Sequence, residues 1–243
     1  MTLAPAANRS ADKISQERSR RFETFVTWYL RFNGYFTVPS FVVHAGDDPT
    51  RISDDVVGQY TEVDTLAVRL PYSREEAGIR IPTHDRLVDG ADGKLDVVVA
   101  EVKSGNRAYP NASWQGADKV SNIEYILRFI GLYQDDSKVR EVAAALQNHY
   151  VVSEKAIRLR YIIFSKTVNR HWSKKGVEFI TFDECIQFIA NERGECWAAA
   201  GIGRRSMHHQ WDDLIKRIFE IANDAKIDAP ARRAKIWKLL YRG

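Results

Sequence analysis

The residues best suited to chemistry close the stretch Leu95-Asp96-Val97-Val98-Val99-Ala100-Glu101-Val102-Lys103-Ser104-Gly105. An apolar, β-branched run of this kind predicts a strand buried on both faces, at the centre of a sheet. Side chains alternate along a strand, so Glu101 and Lys103 project from the same face as neighbours. A carboxylate and an ammonium at the end of a central strand are costly unless paired, metal-bound or open to a cleft. The plain alternative is a structural ion pair. The chemical one is phosphodiester hydrolysis, where a divalent cation polarises the phosphate and lowers the pKa of an attacking water. Mg²⁺ prefers hard oxygen donors, and Asp64 on an earlier strand can add a carboxylate to that of Glu101. Lys103 can steady charge on the phosphate or help deprotonate the water.

The elements that must position these groups follow from periodicity. Residues 1–12 read as a loose tail. Phe22, Phe25, Val26, Tyr29 and Leu30 have helical spacing over residues 13–32, with Asn33-Gly34 as the stop and Glu23 near the edge of the apolar face. Tyr35 to His44 predicts a strand with Pro39 at an edge or bulge. Gln59 to Leu70 predicts a second, in which Glu62, Asp64, Leu66, Val68 and Leu70 share a face. Glu62 therefore competes with Asp64 as a ligand. Asp96 points away from Glu101 and reads as an acid at the start of its strand. Residues 71–94 carry the turn signals Asp89-Gly90 and Asp92-Gly93 and suggest a side hairpin.

Beyond Gly105, helices are expected at about 118–132 and 137–150, and strands at Leu159–Phe164 and Val177–Ile180. Thr181 and Glu184 form a capping-box pattern opening a helix to about Glu192. Ala198 to Arg205 reads as a loop. Terminal helices are expected at about 209–223 and 231–241. Three successive strands before a helical crossover predict a mixed central sheet flanked by helices, with extra C-terminal helices. The domain is drawn as residues 13–195 with a 71–94 insertion, and residues 196–243 as a helical extension packed on it.

The chain has 243 residues, 44% hydrophobic and 28% charged, ordinary values for a globular protein. No apolar run has membrane-spanning length, and no apolar stretch follows Met1 as a leader would, so a cytoplasmic location is expected. Cys185 and Cys196 make no disulfide framework. With His208 and His209 they lack paired zinc-ligand spacing. Gly201-Ile202-Gly203 lacks a dinucleotide fingerprint, and Trp211 with Leu214, Ile215 and Ile218 reads as a packed helix face. A net charge of +4 and a pI near 9.0 permit a polyanionic partner. Arg18, Arg20 and Arg21 cluster early, and Arg204, Arg205, Arg232, Arg233, Lys235, Lys238 and Arg242 cluster late.

Glu23 on the first helix, Asp64 on the second strand and Glu101-Val102-Lys103 on the third resemble the PD-(D/E)xK nuclease superfamily. The resemblance implies a restriction-endonuclease-like α-β-β-β-α-β core over residues 13–165. It implies Mg²⁺-dependent endonucleolytic cleavage of DNA, with Mn²⁺ as a substitute. Metal ligands would be Asp64, Glu101 and the Val102 carbonyl, Lys103 the catalytic lysine, and Glu23 an auxiliary acid. Gln115 would be a contact to substrate or water; Ser104 and Asn106, by their own chemistry and place after the strand, can reach a phosphate, the plain alternative being ordinary loop residues. Val63 stands where the superfamily's name has proline, and residues after about Lys166 lie outside the common core. Restriction or other defence against foreign DNA is the setting implied, with DNA repair or recombination, or a non-catalytic nucleic-acid-binding module, as alternatives. Double-strand cleavage by a single-site subunit would favour a homodimer.

Overall fold

The computed structural model describes residues 6–43, 61–73, 83–89, 93–115, 119–199 and 212–242. A six-stranded mixed sheet lies between two helical layers. Helix α1 (Ala6–Phe32) begins earlier than expected and takes in much of the supposed tail. Ala6 and Ala7 favour helix, which lets the α1 pattern continue backward. Gly34, at φ +85, ends it as its sequence signals.

Strands β1 (Phe36–Val43), β2 (Thr61–Arg69) and β3 (Leu95–Lys103) form an antiparallel meander. Helix α2 (Asp85–Val88) lies between β2 and β3, where a hairpin was expected; the described part of residues 71–94 holds no strand pair before β3 begins. Leu87 is fully buried there, an apolar plug that anchors α2. Helices α3 (Val120–Ile130) and α4 (Asp136–His149) cross over to β5 (Ile157–Ser165), which runs parallel to β3 over its full length. Strand β4 (Val151–Ser153) pairs antiparallel with the start of β5, and β6 (Glu178–Thr181) parallel with its end. β4 and the short helix α5 (Arg170–Lys174) have too few residues to show a period.

Helix α6 (Phe182–Phe188) opens on the Thr181–Glu184 capping box, continues through a π-helical turn at Ile189–Arg193, and leads into α7 (Gly194–Ala199). That last helix crosses the expected boundary at residue 195. Gly194 is required there, because a Cβ would lie 2.4 Å from the Ala222 carbonyl oxygen. Helices α8 (Asp213–Ala222) and α9 (Ala229–Arg242) complete the chain. Ile215, Phe219, Ile236 and Leu240 share one core with Phe22 and Phe25 of α1 and with the inner face of β3. The opposite face, including Val97, Val99, Tyr161 and Ile163, packs on α3 and α4. Among the described residues no helix is long and apolar enough to cross a membrane.

Candidate active site

Five groups singled out above meet where the β2–β3 ladder opens. The last registered pair is Thr65↔Ala100, so continuing the register sets Asp64 opposite Glu101. The ladder does not continue there. Instead the Asp64 carboxylate accepts a hydrogen bond from the Val102 backbone N–H at 2.5 Å. A side chain thus takes the place of a strand partner, and carboxylates from two strands face one gap.

The break has a local cause. Val63 and Leu66, three apart, both pack toward α3 and α4, while Thr65 between them faces α1, where its hydroxyl lies 2.7 Å from that of Thr27. Strict alternation requires Val63 and Leu66 to face opposite ways, so the strand is irregular at Asp64. On β1, Ser40 stands across from Asp64 at φ 49, a conformation unusual for a residue with a Cβ. Asp64 and Glu62 consequently open on a cleft beneath α1 and do not continue the row of Leu66 and Val68. The single face expected for Glu62 through Leu70 is corrected by this break.

That cleft has a volume of about 740 Å³ and is walled by Arg20, Glu23, Thr27 and Arg31 of α1, with Ser40, Glu62 and Asp64 from the sheet. Burial and the neighbouring Glu101 charge push the Asp64 carboxyl up to about 7, against the partial relief of the Val102 N–H. Burial, then the nearby Glu62 carboxylate, raises Glu23. Glu23 also senses Glu101 and Lys103, so the acids form one electrostatic group.

Glu101 and Lys103 sit behind Asp64 and not on the cleft wall. Their side chains form a tight ion pair, with the Glu101 side chain 5% exposed and that of Lys103 28%. The other Glu101 oxygen accepts from the Tyr161 hydroxyl at 3.3 Å. Burial raises the Glu101 pKa, opposed by Lys103, then Tyr161 and Trp114. The Trp114 indole nitrogen is buried without a hydrogen-bond partner, so its help to Glu101 is that of a nearby N–H dipole.

Two expected contacts are placed elsewhere. Ser104 is buried and its hydroxyl lies 2.9 Å from that of Ser19 on α1, tying the end of β3 to the cleft's helix. Gln115 gives its amide N–H to the Pro110 carbonyl at 2.7 Å and lines a second cleft, by α4 and α5. The loop's turn at Ala112–Trp114 directs Trp114, not Gln115, toward Glu101. Tyr161 and Trp114 were missed because their parts depend on packing across elements; the available signal was a phenol within the buried strand Ile157–Ser165, whose hydroxyl needs a partner.

Asp64, Glu101 and the Val102 carbonyl are hard oxygen donors, the set a Mg²⁺ ion prefers. A buried Asp64 carboxyl whose charging is opposed by Glu101 also favours a dication nearby. Among the described residues no group of three or more Asp, Glu, His or Cys side chains converges on one metal position. Two carboxylates and a main-chain carbonyl are the set that remains. His208, His209, Gly201-Ile202-Gly203 and Trp211 lie outside the described residues; Cys185 is a buried core thiol and Cys196 is half-buried.

At the other end of β3, Asp96 is fully buried and ion-paired to Arg158 and Arg160 of β5, each at 2.8 Å. Burial alone would raise its pKa; the hydrogen bonds and charges of Arg158 and Arg160, with the Tyr35 hydroxyl, outweigh this and hold it below the usual carboxylate range. Both arginines also donate to the Leu87 carbonyl, pinning the α2 segment. Asp96 is thus the hub of a structural network. Comparison with family models, curated proteins and solved structures finds no match for this chain.

Proposed function

We propose that the protein is a Mg²⁺-dependent endodeoxyribonuclease of restriction-endonuclease-like architecture. The observation that carries this reading is the gap in the β2–β3 ladder, where Asp64 binds the Val102 N–H within electrostatic reach of Glu101, whose carboxylate holds Lys103. A helix, three strands, a helical crossover and a parallel strand precede and follow the site in the order such a core requires. Asp64, Glu101 and the Val102 carbonyl would hold a Mg²⁺ ion, which would supply Lewis acidity and lower the pKa of an attacking water.

The protein's own groups do the rest. Asp64, with its pKa raised to about 7, would have to be in its charged form to serve as a ligand. Lys103 is held by Glu101 and offers an ammonium to charge that develops on the phosphate. Glu23 and Glu62 keep the cleft wall acidic beside the hydroxyls of Thr27 and Ser40. Arg20 and Arg31 flank that wall as phosphate partners. Arg18 and Lys166 extend the basic rim, both over the Tyr241 ring at 6.0 and 5.8 Å from its centroid. Arg232 and Arg233 do not belong to this rim: they bind the Ala190 carbonyl and Asp183 within the helical layer.

A second reading has its own support. Asp64 and both Glu101 oxygens already have protein partners, as a purely structural cluster in a nucleic-acid-binding module would have. Incubating the protein with plasmid and linear DNA in Mg²⁺, Mn²⁺ or EDTA separates the two. The expected result is metal-dependent cleavage, reduced roughly 100-fold or more in Asp64→Asn, Glu101→Gln and Lys103→Ala. Wild-type protein that cuts no DNA or RNA, while binding DNA as well as Lys103→Ala does, overturns the enzyme reading.

A further inference from the structure

A second cleft, of about 660 Å³, opens between the Trp114 turn, the end of α4 and helix α5. Its volume is in the range of small-ligand sites. Its chemistry is the reverse of the cleft under α1. That one is walled by carboxylates, whereas the described lining residues of this one include no carboxylate and one cation, Lys175. Three aromatic side chains from three separate elements, Trp114, Tyr150 and Trp172, form its walls. The side-chain amides of Gln115, Gln147 and Asn148 also line it.

The aromatic wall is held in a set arrangement. Tyr150 caps α4 at φ 60, a left-handed position where glycine is the usual residue. The strain holds its ring against Trp172 at 6.3 Å and 88°, and against Tyr161 at 6.1 Å. The Lys175 ammonium lies 4.5 Å over the Trp172 ring, and the perpendicular Trp172 and Tyr150 rings form a corner in which a planar ligand can stack on one ring and meet the other edge-on. Trp172 and Tyr150 are only half-buried, so the platform is accessible.

We propose that this cleft is a nucleotide site, taking an unpaired nucleobase on the Trp172–Tyr150 platform and its phosphate on Lys175. Aromatic faces stack any base, amide side chains pair with base edges, and the Lys175 ammonium, with no carboxylate among the described lining residues, attracts the anion. The back wall leads to the acid–lysine pair. Trp114 packs on Tyr161 at 6.2 Å, and both act on Glu101, so a base seated here presses on the groups that orient that carboxylate. The nucleotide can be free or one unit of a single strand. Its binding does not depend on cleavage chemistry.

The test uses the full chain with ¹⁵N-labelled indoles, followed by NMR. The probes are dAMP, adenosine, deoxyribose 5-phosphate and a short single-stranded oligo-dA. Saturable shifts of the Trp172 and Trp114 signals are expected with dAMP, weaker ones with adenosine, and none with deoxyribose 5-phosphate at the same concentration. Lys175→Glu and Trp172→Ala should each weaken dAMP binding by roughly tenfold, while Asp64→Asn leaves it unchanged. Tighter binding of oligo-dA than of dAMP assigns the site to a strand, and the opposite order to a free nucleotide. Absence of saturable shifts with both dAMP and oligo-dA overturns the proposal. So does undiminished binding in Lys175→Glu, or deoxyribose 5-phosphate binding as well as dAMP does. Because none of these readouts is cleavage, an inactive but nucleotide-binding protein would refute the nuclease reading alone.

Discussion

Asp64 carries a conflict between stability and use. Its carboxyl moves from an ordinary 3.8 to about 7 on folding, through burial first and the Glu101 charge second. Between those values the folded chain holds a proton that the unfolded chain has lost, so stability declines as pH rises through that window. Asp64→Asn removes the effect. In EDTA at pH 8 the variant should melt above wild type, by roughly 2–4 °C for each kcal/mol recovered, and lose this advantage at pH 4. Excess Mg²⁺ should reverse the order, since only wild type gains from the ion. Calorimetry at the two pH values checks both statements. Tyr161→Phe removes the hydroxyl that favours the charged form of Glu101. Its Mn²⁺ affinity should fall several-fold and the acidic limb of its binding-versus-pH curve should move to higher pH. An unchanged limb would assign Tyr161 to packing alone.

The elements explain why the site lies at one end of β3. The strand carries charge at both ends and only apolar residues between, and its two ends are treated differently. At Asp96 the charge is answered by two buried arginines from the parallel neighbour β5 and by the Tyr35 hydroxyl. At Glu101 a single, partly exposed lysine answers it, beside an opened ladder. Asp96→Asn should therefore cost about 3–5 kcal/mol by leaving Arg158 buried without its carboxylate and Arg160 with Glu178 alone. Its depressed pKa means that wild type keeps this stabilisation above the ordinary carboxylate range and loses it as pH falls through the folded value. Urea titrations from pH 7 to pH 2 should show the acid-side loss in wild type and a flatter profile in the variant.

On the scale of the whole molecule, the C-terminal helices belong to the core that seats α1. Phe22 lies 4.3 Å from Phe182 and 5.2 Å from Tyr241 between ring centroids, and Ile236 and Leu240 are fully buried in the same cluster. Glu23 sits next to that contact in the chain, so the acid on α1 is held in place partly by α9. A chain ending at Asp228 should unfold at much lower urea, with reduced cooperativity, and lose any binding assigned to the α1 cleft. Circular dichroism and DNA binding on that truncated chain would show this. Retained cooperativity would make α9 an accessory.

The mixed sheet, its three leading strands and most helices were legible because local signals write them: the apolar run before Glu101, the helical spacing of Phe22 to Leu30, the Thr181–Glu184 box. Strand parity alone made Glu101 and Lys103 neighbours. Sequence also put acids on α1 and on two strands, but their convergence was not written locally. Tertiary structure decided it, through the break of alternation at Asp64, the seat of α1 on α9, and Tyr161 and Trp114 arriving from a parallel strand and a loop. Those contacts join residues far apart in the chain, where no periodicity extends. The Asp96 hub was illegible for the same reason: only pairing of β3 with β5 brings its two arginines alongside.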